Sequence, residues 1–478
     1  MSTFEFTKKQ NECIEFDPNH DLLVQGIAGS GKSLVLVYRA LGTAIRAKEN
    51  GERPTIAILT FANSLKNYTQ EVVEQYRAND ITQNITVDTI DSQIRRLYSH
   101  IMLEGKFFKL QYDNDSLFDE IIAKEMQKKK NRFLGKNMHE FLWDEIRWIK
   151  QRSNKIKSLD DYSKAERHGR GNAIRPTQKD RAVIWSVYDQ YYKEAKRRRY
   201  YDAEAVFAEM ADRIDEIPES MKFDYVFVDE CQDLGLTKIR IAKGLARKSI
   251  TLAADLAQMI YHVGFSWAEV GIDIRGQASK KLYGSFRNTK QIMLLAESVK
   301  QKNTSLPSER REIEIPDREG PKPQLYFMES DLDEYSRIAE ILKKEQREHP
   351  DFTIAIIVRS ARDMNRMEEA LKSKGITYYQ RFDAAGFKIL TPGIKLITYH
   401  SSKGLEFDEV ILPFLDEGTF PYLPKDADID QIDNLMNDSR SLLYVGMTRA
   451  KFALFMFSNL DKKSPLINDF DKRYYAIG

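Results

Sequence analysis

The run Gly26-Ile27-Ala28-Gly29-Ser30-Gly31-Lys32-Ser33 has the spacing G-x-x-x-x-G-K-[ST]. It follows the apolar stretch LLVQ and opens the helical stretch SLVLVYRAL. In that setting glycines let backbone N–H groups close around phosphate oxygens, and a helix N-terminus adds positive potential. Lys32 then reaches the β- and γ-phosphates, and Ser33 offers a hydroxyl to Mg²⁺. A phosphate-transferring site also needs an acid for the metal and a group that activates water. Tyr225-Val226-Phe227-Val228-Asp229-Glu230 supplies both: an apolar run that ends in two carboxylates, Asp229 suited to Mg²⁺ and Glu230 to the water. Together the two motifs predict hydrolysis of a nucleoside triphosphate.

These motifs need a sheet to hold them. Short β-rich runs at 21–26, 55–60, 84–90, 225–230 and 249–255 are separated by helical patterns. A second series follows at 325–328, 352–358, 394–400, 409–414 and 452–457. Buried parallel strands read this way, so two α/β domains in tandem are expected. Between the third and fourth runs, roughly 98–200, the pattern is charged and helical. The expected division is a first α/β domain over 1–97 and 201–278, a helical insertion over 98–200, and a second α/β domain over 279–478.

GIAGSGKS, VFVDECQDL, LAADLAQMIY, LITYHSSKGLEF and LLYVGMTRA occur in this order and resemble the superfamily 1 helicases, in particular the UvrD/Rep/PcrA-like branch. The resemblance runs from Gln10 to Arg449 and implies two RecA-like P-loop domains, ATP and Mg²⁺, and 3′ to 5′ movement on single-stranded DNA or its junctions with duplex. It implies that Gln10 reads adenine, that Phe286 stacks on the base and that Glu406 contacts the sugar. Gln258 resembles the γ-phosphate sensor. Arg287 and Arg449 resemble the arginines that the second domain donates to the γ-phosphate, a role suited to guanidinium forks. For DNA, the family pattern indicates Phe61, Asn63, Thr89, Tyr261, Thr398, His400, Ser401 and Ser402. An aromatic ring is a sequence-tolerant platform for an unpaired base.

The chain departs from that pattern at several points. Leu34 stands where an arginine packs on adenine, and Ala254 stands where motif III has glycine. Only the short stretch 380–393 lies where larger relatives carry a whole mobile 2B subdomain, so little or no 2B insertion is expected. Autonomous unwinding is thereby put in question, and an ATP-switched DNA-binding subunit, working with a partner protein such as a separate nuclease, is the alternative. The resemblance points to DNA repair, replication restart or genome defence.

The 478 residues are 42% hydrophobic and 31% charged, a globular composition with room for several cores. No run approaches the roughly 20 apolar residues of a membrane span, and Cys13 and Cys231 are the two cysteines. A cytoplasmic protein, monomeric when isolated, is expected. The net charge of +2 hides a basic block: Lys124–Arg199 has 22 Lys/Arg against 10 Asp/Glu. Trp143, Trp148, Trp185, Tyr188, Tyr191, Tyr192, Tyr200 and Tyr201 also lie in or beside this block, as does the cluster Lys196-Arg197-Arg198-Arg199. Two readings are open: a nucleic-acid surface, or a solvated helical subdomain with an aromatic core.

Overall fold

A computed structural model describes residues 6–26, 29–76, 82–112, 115–135, 138–167, 175–255, 270–272, 276–282, 288–303, 315–379, 389–423 and 429–478. The strands are β1 Leu22–Gly26, β2 Ile56–Thr60, β3 Ile85–Thr89, β4 Phe223–Val228, β5 Ala246–Asp255, β6 Ser279–Leu282, β7 Gln324–Met328, β8 Thr353–Val358, β9 Gly393–Thr398, β10 Phe407–Leu412, β11 Ala450–Asn459 and β12 Ala476–Ile477. They form two parallel sheets, ordered β3-β2-β4-β5-β1-β6 and β12-β7-β11-β10-β8-β9. β2 and β8 are buried at every position, as strands covered on both faces must be. The chain is thus two α/β domains in tandem, each with helices over its sheet, consistent with RecA-like folds.

Two expected boundaries need correction. The expected division places β6 in the second domain, yet it pairs in parallel with β1, so the first sheet extends to Leu282. The helix Ile90–Met102 crosses the division at 97/98 unbroken. Its buried face, including Ile94, Leu97 and Tyr98, joins the first domain's core, because that stripe of apolar residues continues past the division.

Between β3 and β4 the chain is helical, with its own core around Phe118, Trp148, Tyr162, Ile184 and Tyr191. Trp143, Trp185, Tyr188, Tyr192 and Tyr200 pack against that core, and Tyr201 packs on the first domain's core. Inside it Glu145, fully buried, takes a two-pronged bond from Arg167 (2.7 and 2.6 Å) and another from Tyr162 Oη at 2.8 Å. The aromatics therefore serve these two cores, while Tyr188, Tyr192, Tyr200 and Tyr201 keep a partly open face. The cationic cluster is partly neutralised as well: Arg197 and Arg198 pair with Glu194, and Arg198 also reaches Glu120 at 2.8 Å. Lys196 and Arg199 border a cavity of about 770 Å³ where the insertion meets the first domain. Among the described residues no helix is long and apolar enough to cross a membrane.

Candidate functional site

The glycine-rich turn leaves the end of β1 and enters the helix Lys32–Glu49 through Gly31, whose φ of 80° is left-handed and favours glycine. Gly26 has no room for a side chain, since a Cβ there would lie 2.3 Å from Ser30 Oγ. Lys32 is buried and its Nζ donates to the Gly26 carbonyl at 3.1 Å. Ser30 Oγ is buried with no hydrogen-bond partner, a polar group directed into the turn and unsatisfied by the protein. A cradle closed to side chains and bearing an unsatisfied hydroxyl and a lysine suits a polyphosphate. Gln10 braces it. In the capping box of the helix Lys8–Ile14, its Oε1 accepts from Thr7 N–H at 2.9 Å and its Nε2 donates to the Ser30 carbonyl at 3.0 Å. The amide retains a lone pair and an N–H for a further partner.

β4 delivers Asp229 and Glu230 beside this turn. Asp229 is buried and its backbone N–H bonds Leu59 O across to β2 at 3.0 Å. Its side chain bonds Ser33; burial, and then the charge of Glu230, raise its pKa. Glu230 sits at φ 50°, ψ 42°, a left-handed conformation uncommon for a side-chain-bearing residue and typical of strained functional positions. Burial alone would raise its pKa, but Lys32, Arg449, Gln232 and Lys403 together hold it below the ordinary value. An ionised carboxylate at this position can accept a proton from water. The Gln232 amide donates to it, which fixes its orientation.

Two of the cations acting on Glu230, Arg449 and Lys403, come from the second domain. Arg449 lies at the start of β11 and is 5% exposed; its Nε and Nη1 donate to the carbonyls of Val445 (3.0 Å) and Leu405 (3.1 Å). Lys403 crosses to Asp233 at 3.0 Å. Gly404 adopts φ 75° with Leu65 of the first domain 2.9 Å from where a Cβ would stand, so the domains touch with backbone-level closeness. Glu71, on the helix Asn63–Glu74, accepts from Ile389 N–H and Leu390 N–H at 2.6 and 3.1 Å. The Lys403–Asp233 and Glu71 contacts lie outside the roles that the motifs assign. Lys403 and Asp233 do stand inside HSSKGLEF and DECQDL, where a cation and an acid without assigned roles were a usable signal.

The expected DNA-facing residues divide. Phe61 (40% exposed) and Asn63 stand exposed past the end of β2, with Lys238 Nζ 5.9 Å from the Phe61 ring centroid. His400 is exposed after β9, and Thr398 Oγ1 donates to Ser401 Oγ at 3.0 Å in a turn beside it. Glu406 is half-buried just before β10. Two expectations need correction. Thr89 is buried and its hydroxyl caps the helix Ile90–Met102, accepting from Ser92 N–H at 3.2 Å. Ser402 is fully buried with its hydroxyl on the Tyr399 carbonyl at 2.8 Å. Both side chains are buried and their hydroxyls are engaged by the protein's own backbone. Ala28, Gln258, Tyr261, Phe286 and Arg287 lie outside the described residues.

Tandem α/β domains with a phosphate-binding turn, a buried acidic pair and a cation from the second domain facing that pair define a P-loop protein with a two-domain nucleotide cleft. A family model described as the UvrD/REP helicase N-terminal domain matches residues 6–280, and the UvrD-like helicase C-terminal domain matches 281–387 and 383–461. The chain belongs to the UvrD/REP helicase family. Similar proteins include the ATP-dependent DNA helicase PcrA of Staphylococcus epidermidis, 25% identical over 396 residues, 77% of this chain and 50% of that protein. PcrA of Staphylococcus aureus is 24% identical over 399 residues, again 77% and 50%. A probable DNA helicase II homolog of Mycoplasma capricolum is 25% identical over 376 residues, 75% and 50%. The chain spans about half the length of the curated relatives it matches.

Lys32→Ala is expected to abolish ATP turnover while the chain still folds, with some loss of Tm because Nζ bonds the Gly26 carbonyl and its charge acts on the buried Glu230. Phosphate release and a thermal melt, run side by side, check both halves. Wild-type turnover in the variant would remove the turn from the catalytic site.

Proposed function

We propose that this chain is an ATP-hydrolysing motor that moves 3′ to 5′ along single-stranded DNA. The observation that carries the reading is the electrostatic meeting of Arg449 and Lys403, from the second domain, with Glu230 and Asp233 of the first. A site shared between two domains lets nucleotide occupancy set their separation, and alternating closure and opening is what stepping along a strand requires. Lys32 binds the β- and γ-phosphates, and Ser33 and Asp229 hold Mg²⁺, which when bound neutralises charge on the phosphoryl oxygens. Glu230 orients water and takes its proton. Arg449, with Arg287 by the family pattern, receives the charge that grows on the γ-phosphate, and Gln258 senses that phosphate. Gln10, Phe286 and Glu406 address base and sugar.

The strand crosses the ends of β2 and β9, where Phe61, Asn63, Thr398, His400 and Ser401 line its path. Phe61→Ala is expected to weaken binding of a fluorophore-labelled, mixed-sequence single strand by roughly 5- to 150-fold, the loss of one stacked base at about 1–3 kcal/mol. Fluorescence anisotropy at fixed salt reads this. Unchanged affinity would move the strand elsewhere.

The motor is tested by ATP hydrolysis with and without single-stranded DNA, and by streptavidin displacement from strands biotinylated at either end. Displacement confined to the 3′ end would reverse the polarity and reject the proposed direction. A second reading is an ATP-switched DNA-binding subunit that unwinds only with a partner protein, such as a separate nuclease. Its support is the 13 residues, 380–392, between Tyr379 and Gly393, too few for an independent folded unit. Strand separation of a 3′-tailed duplex by the isolated chain would eliminate it.

A further inference from the structure

The second domain also gathers two carboxylates and an imidazole that the motor does not use. Glu345 and His349 stand four residues apart at the C-terminal end of the helix Asp331–Glu348, a spacing that puts both on one face. Glu409 lies on β10 beneath that helix. One ligand atom from each of the three lies within 4.8 Å of the other two, and His349 Nε2 is 3.8 Å from Glu345 Oε2.

Glu409 is 3% exposed, and its Oε2 is buried with no hydrogen-bond partner. A buried carboxylate oxygen without a donor is costly, and a second buried carboxylate beside it adds repulsion. Lys344 offsets little of this. It reaches Glu345 Oε1 at 3.3 Å, on the oxygen other than the one nearest His349. The helix C-terminus adds further negative potential at the same spot. A cation among the three side chains satisfies the orphan oxygen, screens the acids from each other and complements the helix end in one step.

The imidazole selects the kind of cation. Mg²⁺ and Ca²⁺ favour oxygen ligands throughout, whereas carboxylates with a histidine suit Zn²⁺ and its first-row neighbours. Tetrahedral ligands at about 2.1 Å stand about 3.4 Å from one another, so closing the site requires shifts of about 1 Å. His349 can supply them: its side chain is 45% exposed at the helix end, while its ring is kept in orientation by stacking on Phe352 at 4.5 Å and 15°. We propose that Glu345, His349 and Glu409 form a binding site for one divalent transition cation, which fastens the end of the helix Asp331–Glu348 to β10. The competing arrangement is a proton shared between Glu345 and Glu409, with no metal.

Calorimetric titration of ZnCl₂ into the chelator-treated full chain, without nucleotide or Mg²⁺, distinguishes these. Binding of one equivalent is expected, with a rise in Tm. His349→Ala, which truncates an exposed side chain and leaves the fold intact, should weaken Zn²⁺ binding roughly tenfold or more and abolish the rise in Tm. Asp229→Ala should retain both, since it removes the acid proposed for Mg²⁺ and leaves this site whole. Co²⁺ gives a second readout, a visible absorption band in the wild type that His349→Ala lacks. Zn²⁺ affinity unchanged in His349→Ala overturns the proposal. So does a wild type that binds no Zn²⁺; Glu409→Gln more stable than the wild type then marks a shared proton alone.

Discussion

Glu230→Gln is expected to bind ATP within about tenfold of wild type and to hydrolyse it about 10²- to 10⁴-fold more slowly, the range contributed by a positioned general base. The substitution keeps the size and the hydrogen-bonding reach of the side chain and removes its capacity to take a proton. Three cations, Lys32, Arg449 and Lys403, hold the Glu230 carboxylate ionised despite its burial, so its charge is available for this step at neutral pH. The backbone of Glu230 is fixed in a left-handed turn by Cys231–Asp233 and by its own N–H on Asp229 Oδ1 at 2.9 Å, and the amide variant inherits that placement. Lys32, Ser33 and Asp229 are untouched, so the phosphate and metal contacts survive. Stopped turnover with retained affinity traps the closed state and should prolong the DNA-bound lifetime. Rapid-quench hydrolysis together with nucleotide binding by a fluorescent analogue reads both quantities. Hydrolysis within tenfold of wild type would assign water activation to another group. Loss of ATP affinity instead would show that Glu230 acts by holding the site's shape.

Where residues carry their own signal, the fold is legible before any coordinates. Each of the ten β-rich runs overlaps an observed strand, because short apolar, β-branched-rich runs between helical patterns leave few other packings. The run ending at Glu230 was read two residues too long: the strand stops at Val228, and the two acids occupy the turn where chemistry requires them. β6 was missed because SKKL has no apolar run; it is an edge strand that exists through its pairing with β1, a partner more than 250 residues earlier. The aromatic block was ambiguous for a related reason. Tyr188, Tyr191 and Tyr192 beside four basic residues fit either a stacking surface or a core face, and only the packing of the insertion decides. Thr89 and Ser402 show the same limit at the level of single side chains. A motif fixes where a hydroxyl lies in the chain, while a helix cap or a turn carbonyl decides whether it faces solvent. The contacts between the domains, Lys403 to Asp233 and Glu71 to Ile389, join segments 170 and 318 residues apart; the motifs mark Lys403 and Asp233 as unassigned charges, but no local pattern pairs them.

Arg449→Lys is expected to lower ATP turnover about 10³-fold or more, the scale on which an arginine donated across a cleft acts in phosphoryl transfer. The lysine variant is the informative one. It keeps a positive charge near Glu230, so a loss measures what the guanidinium fork adds beyond charge. Arg449 has two duties that the variant separates. Nε and Nη1 already serve the carbonyls of Val445 and Leu405, which ties the end of the helix Ile429–Met447 to the turn before β10. The same guanidinium acts through its charge on Glu230 across the cleft. Lysine cannot reproduce both carbonyl bonds, so a fall in Tm is also expected, of the size of one or two buried hydrogen bonds at about 0.5–1.5 kcal/mol each. A purely structural residue would lower Tm and leave the turnover of the remaining folded protein nearly unchanged. A residue that stabilises the transition state would lower kcat at temperatures well below the melt, with ATP affinity changed far less, because its contact strengthens as charge develops. Single-turnover hydrolysis at 10 °C beside a thermal melt separates these outcomes. Turnover within tenfold of wild type in a folded Arg449→Lys protein would remove the Arg449 guanidinium from the chemistry and leave it a structural tie between the helix Ile429–Met447 and the turn before β10.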